Sequence, residues 1–187
     1  MEVTVRHIFD VDIATYWEDL FFDEAYQRAL HLEGLGCVTA EIQTLETDAE
    51  GRVHQTILVE PRVAMPGPVR KILGERVRYV EDGQFDPADK RYRFQIIPST
   101  LKKRSEIKGL LWVEPVDEHR VERFCKMTVE VKLRGAGKLI EKFILGSYVK
   151  NIEIAAQYTA SFIQRRYGAI ESRSSSAAQG PEQTQTG

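Results

Sequence analysis

Between Gly135 and Gly168 lies the longest periodic stretch of the chain, GAGKLIEKFILGSYVKNIEIAAQYTASFIQRRYG. Ile140, Phe143, Ile144, Tyr148, Ile152, Ala155, Ala156, Thr159, Phe162 and Ile163 recur at three-to-four spacing. Lys138, Glu141, Lys142, Lys150, Glu153, Gln157, Gln164 and Arg165 fill the other faces. The spacing predicts one amphipathic helix about 45 Å long, at about 1.5 Å per residue. A rod of that length needs something wide and apolar along it. Everything upstream reads as short strands, so a curved antiparallel sheet wrapped around the helix is the simplest partner. That arrangement leaves a hollow between sheet and helix, where a ligand would sit.

The rest of the composition narrows the class. With 187 residues, 42% hydrophobic and 29% charged, one domain with a tail is the natural count. A net charge of −2 gives no electrostatic footprint for nucleic acid. Cys37 and Cys125 are far apart, each where a small buried hydrophobe fits, and they are expected to stay reduced rather than form a disulfide. Glu2, Arg6, His7 and Asp10 interrupt any apolar run at the start, so no secretory signal is read there and a cytoplasmic location is expected. No stretch approaches the roughly 20 apolar residues of a membrane span.

In chain order, EVTVRHIF alternates like a half-buried strand. Asp10 or Asp12 then caps a short helix carrying Ile13, Trp17, Leu20 and Phe21, and Asp23 caps a second with Ala25, Tyr26, Ala29, Leu30 and Leu32, stopped by Gly34 and Gly36. From Cys37 to Leu133 the period changes to two. CVTAEIQTLE and RVHQTILVEP pair across a turn ending at Gly51. A Pro-broken segment follows, with one or two helical turns over Val69, Ile72 and Leu73. RVRYVEDGQF and KRYRFQII pair across Asp86–Asp89, and SEIKGLLWVEPV and RVERFCKMTVEVKL across Asp117–His119. Such alternation belongs to antiparallel sheets with one covered face. After Gly168, SRSSSAAQGPEQTQTG lacks aromatic and branched apolar residues, so residues 169–187 are expected to be a disordered tail beyond a domain of residues 1–168.

Strand, two short helices, six to seven antiparallel strands and a long terminal helix make an α+β chain that resembles the helix-grip fold of the START-related superfamily, which includes pollen-allergen-like proteins and polyketide cyclases. The nearest likeness within it is a bacterial START-like family of unknown function. VTVRHIFDVDIATYWEDLFFDEAYQRAL, MPGPVRKILGERVRYVEDGQF and the long helix carry the resemblance, over residues 1–168. None of these is a catalytic signature, so the resemblance speaks to architecture and not to activity.

The residues offer little catalytic chemistry of their own. His7, His31, His54 and His119 share no metal-ligand spacing and are best read as surface or edge positions. GAGK lacks the spacing of a phosphate loop, and Gly135 and Gly137 are read as freeing the chain to turn into the helix. Ser147, Ser161 and Cys125 stand in no nucleophile motif, so no catalytic residue, metal or cofactor is assigned. Lys102, Lys103, Arg104 and Lys108 form the densest basic patch. Beside a cavity mouth it would meet an anionic headgroup or membrane surface; the plainer reading is a solvated turn that protects a strand edge.

Candidate ligand contacts are Tyr79, Tyr92, Phe94, Trp112 and Met127 on the strands, with Phe143, Ser147, Asn151, Tyr158 and Phe162 on the helix. Asn151 would be the polar handle if its amide faces inward. Gly146, in mid-helix, implies a packing or close-approach reason for a residue that costs about 1 kcal/mol there relative to alanine.

Three functions follow. The first is a carrier of a hydrophobic small molecule, lipid-like or aromatic. The second is a cyclase- or dehydrase-type enzyme, for which Arg123 or Glu106 would supply the cavity group. The third is an interaction module with a filled core. A buried cationic or carboxyl group facing the hollow favours the enzyme, a dry apolar cavity the carrier and a collapsed core the module.

Overall fold

A computed structural model of the protein describes residues 1–168; the expected tail lies outside the described residues. Seven strands form one antiparallel sheet: β1 (Glu2–Phe9), β2 (Thr39–Thr47), β3 (Val53–Glu60), β4 (Tyr79–Asp86), β5 (Arg91–Pro98), β6 (Ser105–Pro115) and β7 (Val121–Val131). Their order across the sheet is β1-β7-β6-β5-β4-β3-β2, so the first strand returns to pair with the last. Four helices accompany them: α1 (Ile13–Thr15), α2 (Glu24–Ala29), α3 (Gly67–Leu73) and α4 (Gly137–Ile163).

Local chemistry explains where each element starts and stops. Asp12 accepts from the amides of Ala14 and Thr15, and Asp23 from that of Tyr26, each satisfying a free donor of the first helical turn. Both short helices then widen into π-helical turns, Tyr16–Phe21 and Leu30–Gly34. The hairpins turn at short acidic side chains. Asp48 accepts from the amides of Glu50 and Arg52, Asp86 from Ala88, and Asp117 from His119. Gly51 takes the left-handed conformation at the first of these turns, with φ 78°. In β2 a bulge between Ile42 and Thr44 interrupts the alternation, and Val38, just before the strand, is exposed while Ala40 and Ile42 are half-buried.

α4 crosses the concave face of the sheet, packing on β7 and β1 and on the turn after α2. Tyr26 donates to Thr159 Oγ1 at 2.6 Å, and Thr159 donates in turn to the Ala155 carbonyl, which ties α2 to the long helix. The start of α4 is clasped to the end of β7. Gly137 is buried, and a Cβ there would collide with the Val131 carbonyl oxygen. Close approach, rather than freedom to turn, accounts for this glycine; Gly135, at φ 77°, does make the turn. Glu141, expected on an outer face, is 3% exposed and accepts from the Val131 amide at 3.0 Å and from Lys138 at 3.1 Å. Those contacts hold its carboxyl below the usual carboxylate range, with the Val131 hydrogen bond as the largest cause.

Candidate functional site

Between the sheet and α4 lies a cavity of about 270 Å³. Sheet alternation selects its walls. β3 contributes Gln55 and Ile57; β4, Tyr79 and Glu81; β5, Tyr92, Phe94 and Ile96; β6, Ile107 and Leu111; β7, Arg123, Cys125 and Met127. From α4, one stripe faces in: Phe143, Ile144, Ser147, Tyr148, Asn151, Ile152 and Ala155. Pro61, Val63, Leu73, Val77 and Leu101 line the hollow as well, from α3 and the neighbouring turns. In the π-helical turn after α1, Trp17 packs on Phe85 in a tilted pair with ring centroids 4.6 Å apart, and Phe21 meets Tyr92 edge to face at 4.8 Å.

Seven of the ten residues named from sequence lie in this wall: Tyr79, Tyr92, Phe94, Met127, Phe143, Ser147 and Asn151. Trp112, Tyr158 and Phe162 do not, and the reason is geometric. Trp112 has the opposite parity to Leu111 and Val113, so it points to the outer face of the sheet and stacks on Phe124 at 4.9 Å. Tyr158 lies against Gly34 and donates to Glu33, and Phe162 packs on Tyr26 at 4.9 Å, both on the flank of α4 that meets α2. Glu106 is likewise excluded, since it is exposed on β6 and pairs with Lys108.

The basic run divides. Lys102, Lys103 and Arg104 are exposed on the turn between β5 and β6, next to the cavity-lining Leu101. His31 departs from the surface reading, since it lines the cavity with Nδ1 2.8 Å from the Gln27 carbonyl. Gly146 has nothing within 4 Å of where a Cβ would lie and is exposed, so no close approach explains it. Gly146→Ala is therefore expected to stabilise the protein by about 1 kcal/mol, read as a rise in the midpoint of urea unfolding.

Three polar groups meet on the β3–β5 wall. Gln55 is 1% exposed, with its Nε2 unpartnered. The Tyr92 hydroxyl lies 3.2 Å from Glu81 Oε1 and 3.5 Å from Gln55 Oε1. Gly83 makes room for that phenol, since a Cβ there would fall within it. Burial pushes the Glu81 carboxyl up to about 7, with the Tyr92 hydrogen bond opposing. The Tyr92 hydroxyl is the donor of this group, with Glu81 Oε1 and Gln55 Oε1 as its two acceptors. Sequence reasoning missed Glu81, although its parity matches that of Tyr79 and Phe85.

On β7, Arg123 is 5% exposed and faces the hollow between Val121 and Cys125. Its guanidinium carbon lies 4.9 Å from the Phe9 ring centre, and Nη2 is 3.1 Å from His7 Nδ1. Burial raises the pKa of the neighbouring Cys125 thiol, which disfavours it as a nucleophile. Among the described residues, no group of three or more His, Cys, Asp and Glu side chains is placed to hold a metal. No helix among them is long and apolar enough to cross a membrane.

A curved seven-stranded antiparallel sheet closed over a long terminal helix, with an apolar hollow between them, is the helix-grip fold of START-related proteins. By sequence the chain belongs to the family described as "Protein of unknown function (DUF2505)", matched over residues 4–163. No curated protein matches the chain in sequence. Among solved structures it is similar to the Zhui aromatase/cyclase from a Streptomyces species, at 12% identity and a TM-score of 0.61, covering 90% of this chain and 97% of that one. It is also similar to a START superfamily protein from Mycobacterium smegmatis, at 12% identity and a TM-score of 0.57, covering 87% and 98%. Norcoclaurine synthase from Thalictrum flavum, in complex with dopamine and hydroxybenzaldehyde, matches at 11% identity and a TM-score of 0.57, covering 89% and 87%. At these identities the likeness is one of fold.

Proposed function

We propose that the protein binds a hydrophobic small molecule, lipid-like or aromatic, in the cavity between sheet and α4. The observation that carries the reading is the hollow itself, walled mainly by aromatic and aliphatic side chains with a few buried polar groups among them. Its volume of about 270 Å³ is close to the lower end of small-molecule sites, about 300–1,000 Å³. A core without a ligand to accommodate would be expected to close at native packing density. The open hollow thus weighs against the filled-core interaction module.

Native mass spectrometry of protein purified from its own host tests the reading. The expected result is a co-purifying non-covalent mass that is lost in Ser147→Trp, a substitution that fills the hollow from the helix side. A clean apo mass, together with failure of the wild type to bind the neutral probe N-phenyl-1-naphthylamine, would overturn it.

One observation favours a second reading, an enzyme of the cyclase or dehydrase type. A carboxyl pushed up to about 7 inside a ligand cavity exchanges a proton near neutral pH, as a general acid or base must. If Glu81 works in this way, Glu81→Gln purified from the host carries a precursor and the wild type its product, so the two adduct masses differ. Equal masses would leave the carrier reading alone.

A further inference from the structure

We infer that the cavity takes an apolar ligand carrying a single carboxylate, and that this carboxylate pairs with the buried guanidinium of Arg123. The inference rests on the hydrophobic-ligand reading and adds the chemistry of the ligand's polar end.

An arginine stays charged in any protein environment, and this one is 5% exposed. The ion pairs of the described residues run between other groups, and none brings an Asp or Glu within 4.0 Å of it. Its neighbours are neutral. His7 presents Nδ1 to the guanidinium, so that nitrogen is a bare acceptor, and burial and the Arg123 charge both hold the imidazole below its ordinary pKa. Tyr16 is buried, which holds its phenol protonated. Glu153 reaches only the far side of the His7 ring, with Oε1 3.1 Å from Nε2. Glu81, the acid in the cavity wall, has its carboxyl pushed up to about 7 by burial and is hydrogen-bonded to Tyr92, not to Arg123.

A buried cation without a counter-ion is strongly unfavourable, and a protein retains one where a ligand supplies the missing charge. The donors still available match that ligand. Arg123 Nε is buried without a partner. Tyr16 lines the cavity together with Arg123, and its buried phenol keeps a proton to give. A guanidinium and a phenol on one cavity lining supply the donors that the two oxygens of a carboxylate accept from. Phe9 backs the guanidinium plane, leaving the apolar body of the ligand to run along Cys125, Met127 and the inner stripe of α4.

Decanoate and decanol, which share a chain and differ in the head group, serve as probes, each displacing N-phenyl-1-naphthylamine. In the wild type, decanoate is expected to displace at a concentration at least about tenfold lower than decanol. Arg123→Met should abolish that preference, read as the ratio of the decanoate to the decanol displacement concentration, so that any change in naphthylamine affinity cancels. Arg123→Lys should keep part of it, because the charge remains without the fork.

Equal displacement by the two probes in the wild type, or a preference that survives in Arg123→Met, overturns the inference and leaves hydrophobic binding standing. Failure of the wild type to bind any of the three compounds overturns both. Should Arg123→Met not fold, the thermal shift of the wild type decides: a larger rise in Tm with decanoate than with decanol supports the inference, and equal rises refute it.

Discussion

Gly137→Val is expected to destabilise the protein by about 1–3 kcal/mol, the usual range for forcing extra methyl groups into a packed site. The effect belongs at the high end of that range because the obstruction is backbone. A Cβ at Gly137 would collide with the Val131 carbonyl oxygen, which cannot swing aside as a side chain would. Val131 is held from its other side too, since its amide donates to Glu141 at 3.0 Å. The first turn of α4 and the end of β7 must therefore move apart together, which loosens the helix that roofs the cavity. Urea unfolding of Gly137→Val against Gly146→Ala gives an internal contrast: two glycines of one helix, with opposite expected signs. An unchanged midpoint for Gly137→Val would show that the helix does not start against the strand.

Across the acid-to-neutral range, the stability difference between wild type and Glu81→Gln should change by up to about 1.4 kcal/mol per pH unit. The folded protein keeps the Glu81 proton up to about pH 7, whereas the unfolded chain releases it near the ordinary value of 4.5. Between those values the native state binds more protons, so this group's contribution to stability falls as pH rises. Gln keeps a neutral acceptor for the Tyr92 hydroxyl and has no proton to lose, so the variant gains on the wild type over the same window.

The wild-type slope alone would not reveal this. His7 and His31 are both held below their ordinary pKa, chiefly by burial, and their contributions rise with pH through the region where an unfolded histidine titrates. They oppose Glu81, and subtracting one urea series from the other at each pH cancels them. A difference that stays flat from about pH 5 to about pH 7 would mean that Glu81 ionises like a surface carboxylate.

The strands and the long helix were legible because hydrophobic period reports burial directly. The turns at Asp48, Asp86 and Asp117 were legible too, since short acidic side chains satisfy turn amides by a local mechanism. What failed was the treatment of polar and aromatic residues by type rather than by parity. Tyr79, Glu81, Gly83 and Phe85 share one face of β4, so the parity that places Tyr79 toward the hollow places the Glu81 carboxylate there too. Aromatic chemistry alone puts Trp112 in the cavity, whereas its neighbours Leu111 and Val113 claim the inner face.

Glu141 could not have been placed from sequence. Its reason for being buried is a backbone amide ten residues upstream, and no periodicity records such a partner. The flank of α4 holding Tyr158 and Phe162 was hidden for a related reason. A helix gripped on two sides has two apolar stripes, and sequence alone does not say which one meets the sheet and which meets α2.

The pairing of β1 with β7 has a consequence for how the chain is made. Val5 lies opposite Cys125, and among the described residues β1 has no other partner in the sheet. During synthesis the first strand must wait, unpaired and half apolar, until nearly all of the domain has left the ribosome, and α4 emerges later still. Closing so long a loop is slow, and an exposed edge invites other chains while it lasts. The nascent chain is thus most exposed to aggregation before β7 appears, which makes this interval the one in which a chaperone would matter.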